Sequence, residues 1–232
     1  MDPVTSKANA VLAVWTDAKV EAEANFNEWY NRQHLNERSD VPGFLSGRRY
    51  RAISGRPRYM ALYDTTGADI LSSAAYRGAL DNPTSWTQRI MPSFYNMTRS
   101  VLDIQARVGR GYGSIAASFR PRPGKAATPA LEQWLKETAL PLVLEQPGIT
   151  GAQFLKSNQP SSASGSTEGS LRTEPDASIE WAVFVEGTEP ALVRTACQSI
   201  LPRDCFQEHG AGTVYRGLYR LLYGNDALRK DF

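Results

Sequence analysis

The sequence predicts an α+β protein made of two tandem β-α-β-β-α-β repeats in one chain. Three observations predict it. First, "NEWYNRQHLNERSDVPGFLSGRRY", from Asn27, and "EQWLKETALPLVLEQPGITGAQFL", from Glu132, align without a gap, a self-similarity that marks a repeated unit. Trp29 falls on Trp134, Leu35 on Leu140, Pro42 on Pro147 and Gly43 on Gly148. Second, a short apolar segment of strand character precedes each copy, "AVLAVWT" and "GYGSIAASF". Third, both helical patterns stop at Pro-Gly, where proline ends the backbone ladder and biases its predecessor toward extended geometry.

The remaining elements follow in the same order in both copies. Asp17 is read as the cap of the first helix, and Thr128-Pro129 as a cap followed by proline at the first helical position. Second strands are "FLSGRRYRA" and "ITGAQFLKS", and third strands "PRYMALYDT" and "IEWAVFVEG". Each copy then enters its second helix through threonine, Thr66 or Thr188, with Asp69 completing a capping box for Thr66. The last strands are "VLDIQARVG" and "VYRGLYRLL". This order is the ferredoxin-like split β-α-β unit. Helices cover only one face of such a sheet, so two units in one chain can cover each other's free faces. The expected product is a barrel of two antiparallel sheets with helices outside, a pseudo-dimer of residues 1–108 and 109–232. "GRGYGS" reads as the junction between repeats. Residues 157–178, rich in Ser, Gly and Pro, read as a flexible hairpin loop. "PRPGKAATP" reads as a shorter, proline-stiffened one.

Composition narrows the function. With 41% hydrophobic and 22% charged residues the chain is an ordinary globular protein, and a net charge of +2 gives no reason to expect nucleic acid. The run "GRRYRAISGRPRY" reads as a solvated strand face. No apolar run approaches the ~20 residues of a membrane span, and "MDPVTSKANA" has no signal-peptide pattern. Cys197 and Cys205 alone exclude a disulfide framework and point to a reducing cytoplasm. Two cysteines and two scattered histidines give no recognisable zinc site, so no metal is expected.

"FNEWYNRQHLNERSDVPGFLSGRRY" resembles the helix-to-strand signature of the dimeric α/β-barrel superfamily, in particular its EthD-like branch: a Trp-Tyr pair, a histidine soon after, and a Pro-Gly-Phe turn into an arginine-bearing strand. The resemblance implies a barrel with a small-molecule cavity beneath the first helix of a repeat. Its relatives include polyketide cyclases, dehydratases, lactone isomerases and cofactor-free oxygenases, and other branches bind haem.

Phe26, Tyr30 and His34 lie on one helical face that Glu37 and Arg38 continue. The matching positions of the second copy are Leu131, Leu135, Ala139, Leu142 and Val143. A polar-dotted face in one repeat is therefore aliphatic in the other, which predicts one hollow, working half and one filled half. His34 titrates near neutrality and can accept and return a proton. Tyr30 can donate to a carbonyl whose charge grows during enolisation, and Glu37 can orient the imidazole. Arg38 and Arg49 can hold an anion by two-point contact. Arg49 and Arg51 share one strand face, Arg48 and Tyr50 the other, and Arg49 is favoured for the cavity. "NPTSWTQRIMPSFYNMTRS" is read as a second helix in which Trp86, Phe94 and Tyr95 wall the pocket and Arg89 holds substrate charge. The expectation is a cofactor-independent lyase, isomerase or cyclase acting on a small aromatic, polyketide-like or lactone metabolite, as a monomer or homodimer. Two alternatives stand beside it: a non-catalytic small-molecule binder, and a haem protein with His34 or His209 as axial ligand.

Overall fold

In the computed structural model, which describes residues 7–124, 128–157 and 166–226, each run of alternating apolar residues is a strand. The first repeat supplies β1 (Ala10–Ala18), β2 (Phe44–Gly55), β3 (Tyr59–Thr65) and β4 (Phe94–Gly109). The second supplies β5 (Ile115–Pro123), β6 (Ile149–Lys156), β7 (Trp181–Gly187) and β8 (Ala211–Asp226). Their order around a closed barrel is β1-β3-β2-β8-β5-β7-β6-β4, with every neighbouring pair antiparallel. Read by repeat, this is fourth-first-third-second twice over, with β2–β8 and β4–β6 making the two seams. Closure leaves no free sheet edge to template aggregation.

Both faces of the barrel wall are covered, which explains why β1 reads as a continuous apolar run. Val11, Ala13 and Trp15 point into the barrel with Tyr50, Phe184 and Tyr219. Leu12 and Val14 point outward, under the helices of the first repeat. Those helices are α1 (Glu23–Trp29), a π-helical turn (Tyr30–His34) and α2 (Leu35–Ser39), then α3 (Ala74–Asp81) and α4 (Ser85–Ile90). The second repeat has α5 (Thr128–Trp134), a π-helical turn (Leu135–Ala139) and α6 (Leu140–Leu144), followed by α7 (Thr167–Ser170), α8 (Pro190–Ile200) and α9 (Arg203–Glu208). The π-turns fall at aligned positions, so this widening belongs to the scaffold rather than to one site.

The Pro-Gly stops have a steric cause. Gly43 and Gly148 take φ of +95° and +76°, in the left-handed region that favours glycine. A Cβ on Gly43 would lie 2.5 Å from Ile70 Cδ1, and one on Gly148 2.4 Å from Leu192 Cδ1.

Several expected caps do not form. Asp17 is buried in β1, where its carboxylate accepts from the Arg58 backbone N–H at 2.7 Å and from Asn96 at 3.1 Å. Thr66 and Thr188 are followed by Gly67 and Glu189, which precede the next helical turns without a side-chain cap. Ser73 caps α3 and Thr84 caps α4 instead. The segment expected as one helix ends at Ile90, because Pro92 and an extended Phe94 hand the chain to β4. Part of "PRPGKAATP", residues 125–127, lies outside the described residues, as do residues 158–165 of the expected flexible loop. The described remainder of that loop is ordered onto the first repeat: Ala177 exchanges backbone hydrogen bonds with Met97 and Arg99, and Arg172 makes a two-point pair with Asp176.

Candidate functional site

A cavity of about 30 Å³ lies in the helix layer of the first repeat, room for a single water molecule. Trp29, Tyr30, His34 and Arg38 line it from the first helix, and Tyr76 and Leu80 from α3. Leu12, Val14, Tyr63, Met97 and Arg99 line it from the barrel wall. Ser166, Glu168, Gly169 and Arg172 cover it from the second repeat.

His34 is buried, its ring stacked on Trp29 at 4.1 Å and edge-on to Tyr30 at 5.0 Å. Its Nδ1 has no hydrogen-bond partner. Burial, then the charges of Arg38, Arg49 and Arg172, hold the imidazole pKa well below its ordinary value, so the ring is neutral at physiological pH. Burial likewise raises the phenol pKa of Tyr30 and of Tyr63, keeping both protonated. The buried Tyr63 hydroxyl faces that of Tyr30.

The cations around this ring are only partly neutralised. Arg38 pairs through Nη2 with Glu168, and its buried Nη1 has no partner. Arg172 is paired with Asp176. Arg99 donates to the Tyr76 hydroxyl at 2.7 Å and makes no ion pair among the described residues. A buried cation without a carboxylate is costly, and here it faces the same cavity as a neutral base. The arrangement suits a small molecule that is, or becomes, an anion.

His34, Tyr30 and Arg38 thus come together as expected. Arg49 lies on the helix-facing side of β2, as favoured, but under Tyr30 rather than on the cavity: it donates to the Asn27 carbonyl at 3.0 Å and Asn31 at 2.8 Å, and lies 4.8 Å from the Tyr30 ring. Arg48 faces the barrel interior between Asp64 and Glu186, at 3.1 and 3.0 Å. Phe26 is a core residue wedged among Tyr30, Tyr59 and Phe94. Glu37 is half-buried on the neighbouring face of α2, its carboxyl pKa raised by burial, and is not part of the lining. Trp86 packs at the edge of the layer and donates to Asn25 at 2.9 Å, while Arg89, on the outer face of α4, is exposed. Tyr95 belongs to β4 and lines a separate cleft at the barrel mouth. Phe94 does line the cavity.

The second repeat has no equivalent chemistry on the matching face. Leu131, Leu135, Ala139 and Val143 are buried in one apolar cluster, and Leu142 is exposed. His209 stacks on Trp134 at 4.6 Å above that cluster, its Nδ1 2.7 Å from the Cys205 carbonyl.

No protein-family model and no curated sequence matches this chain. Solved structures do. An anthrone oxidase-like protein superposes over 97% of this chain and 96% of its own, with a TM-score of 0.66 and 10% identity. The chain has the dimeric α/β-barrel fold. A candidate monooxygenase from Lactobacillus acidophilus shares this barrel over 94% of this chain and 97% of its own (TM-score 0.59, 6% identity). A candidate chlorite dismutase does so over 94% and 96% (TM-score 0.55, 11% identity). At such identities the likeness is one of fold, and the site of this dimeric α/β barrel must be argued from its own residues. The surroundings of the two histidines do not favour the haem alternative. A ligating imidazole is usually oriented by an acceptor on its other nitrogen, whereas His34 Nδ1 has none and the surrounding arginines disfavour added positive charge. His209 has such an acceptor but sits above a filled apolar layer. No helix among the described residues is long and apolar enough to cross a membrane.

Proposed function

We propose that this protein is a cofactor-independent enzyme that removes a proton from a small enolisable aromatic or polyketide-like molecule. His34 is the base. The single observation that carries this reading is a buried, neutral imidazole sharing one cavity with two arginines, Arg38 with an unpartnered nitrogen and Arg99 without an ion pair among the described residues. Burial is the larger cause of the low imidazole pKa, and the arginine charges that add to it also lower the pKa of a bound C–H or phenolic O–H acid. Proton transfer then creates an imidazolium beside an enolate, a pair of opposite charges where there was none. Arg38 and Arg99 hold the developing oxyanion, and Tyr30 and Tyr63, both protonated, are further donors. The EthD-like resemblance from Phe26 to Tyr50 and the anthrone named for the first fold neighbour reported above both favour this substrate class.

A carbanion made this way can eliminate, isomerise, cyclise or react with dioxygen, so the reaction type is decided by experiment. Thermal-shift screening of anthrones, cyclic diketones and lactones, followed by mass spectrometry with and without oxygen, tests it. A ligand that stabilises the protein and is converted supports the enzyme, and oxygen-dependent conversion assigns an oxygenase. A ligand that stabilises it but is recovered unchanged from both atmospheres reduces the protein to a binder.

A further inference from the structure

The cavity as it stands cannot hold the molecules proposed for it. Small-molecule sites commonly enclose ~300 Å³ or more, and this one offers about 30 Å³. What closes it is residues 166–172 of the second repeat, and the attachment of that segment is unusual. Its Glu168 carboxylate is buried on Arg38, across the boundary between repeats. Its other ties to the first repeat are an exposed bond from Thr167 to Asp81 and the half-buried Leu171 side chain, which packs against the first-repeat core. Beyond it, Arg172 braces the segment to its own Asp176, and Ala177 joins the backbone of β4. Among the described residues, the one ion pair from this segment to the first repeat is therefore an acid on the arginine that faces His34.

We infer that Glu168 holds the place of the ligand. A small anion, a carboxylate or an enolate, takes over the Arg38 guanidinium, and residues 166–172 are released as it does so. This rests on reading the first-repeat cavity as the functional site. The exchange is like for like. Arg38 keeps a charged partner throughout, and Glu168 passes to water, where its charge is solvated. A neutral molecule of the same shape has no such route, because displacing Glu168 would leave a buried guanidinium unpaired. Selection for anions and opening of the site are then one event. The unpartnered Arg38 Nη1 and the Arg99 guanidinium without an ion pair add donors for the incoming group.

The test uses benzoate and its neutral counterpart benzamide on the full chain. Neither has an enolisable C–H, so the outcome is independent of whether His34 acts as a base. Isothermal titration of the wild type should show benzoate binding at least about tenfold more tightly than benzamide. In Glu168→Gln, which keeps the shape and loses the charge, benzoate affinity should rise by about tenfold. A second measurement needs no variant: amide exchange at Gly169, Ser170 and Leu171, all hydrogen-bonded in the closed segment, should speed up when benzoate binds. The inference is overturned if Glu168→Gln leaves benzoate affinity unchanged or lowers it. Slower exchange of that segment on binding would overturn it too, as would failure of benzoate to bind either protein.

Discussion

Replacing Arg99 by Met should make the protein more stable and less able to hold an anion. Arg99 is 7% exposed, lies on β4 opposite Val14, and among the described residues its side chain hydrogen-bonds the Tyr76 hydroxyl and no other group. Its desolvation costs several kcal/mol, and no carboxylate repays it. Methionine retains most of the stem's packing and removes the charge. Against this, the Tyr76 hydroxyl loses a charge-assisted bond, worth about 1.5–3 kcal/mol. The net expectation is a gain of about 1–3 kcal/mol, read in urea unfolding followed by tryptophan fluorescence. For a chain of this size that corresponds to roughly 2–4 °C in Tm per kcal/mol. In the same variant benzoate affinity should fall by about 10–150-fold, the equivalent of one charged hydrogen bond. Opposite signs in the two assays are the mark of a residue kept for binding at the expense of stability. A variant destabilised by more than about 1 kcal/mol, with benzoate affinity intact, would show that Arg99 is a structural residue and refute the reasoning.

His34 should make the fold acid-sensitive. Its folded pKa is depressed, so the unfolded state binds the proton more readily, and stability present above the unfolded pKa of ~6.5 is lost as pH falls below it. Between pH 7.5 and 5.5 the wild type should lose about 1.4 kcal/mol more than His34→Gln in parallel urea titrations; parallel curves would contradict the neutral imidazole. Arg48→Met should cost about 3–5 kcal/mol in the same assay, since it takes the buried Glu186 from its cation and leaves Asp64 with the more distant Arg107. Gly43→Ala should destabilise by about 1–3 kcal/mol, because the left-handed backbone and Ile70 both oppose a Cβ.

Strand periodicity carried most of the architecture, because each strand has at least one buried face and the side-chain alternation is unambiguous. The Trp29–Trp134 alignment and paired Pro-Gly stops carried the duplication, since both copies need a left-handed residue at the same place. What was hidden depends on contacts distant in sequence. Asp17 looks like a cap locally, yet the Arg58 N–H, reached through sheet pairing, claims it. Glu168 sits in a Ser/Gly/Pro-rich stretch that reads as a flexible loop, and only the fold brings it to Arg38. Arg99 was legible in principle. Met97, Arg99 and Val101 alternate along β4, and an arginine inside an apolar period-two face is a signal of a covered charge. Taking residues 82–100 as one helix concealed that period. It also put Trp86, Arg89 and Tyr95 on a face they do not share.

The central claim, that His34 takes a proton from carbon or oxygen in this cavity, is tested most directly by solvent deuterium exchange. An anthrone or cyclic diketone is incubated with the protein in D₂O and followed by NMR. The account predicts that the wild type accelerates exchange at the carbon flanking the carbonyl, and that His34→Gln returns it to the buffer rate while unfolding at an unchanged temperature at pH 7.5. Exchange by His34→Gln as fast as by the wild type would contradict it.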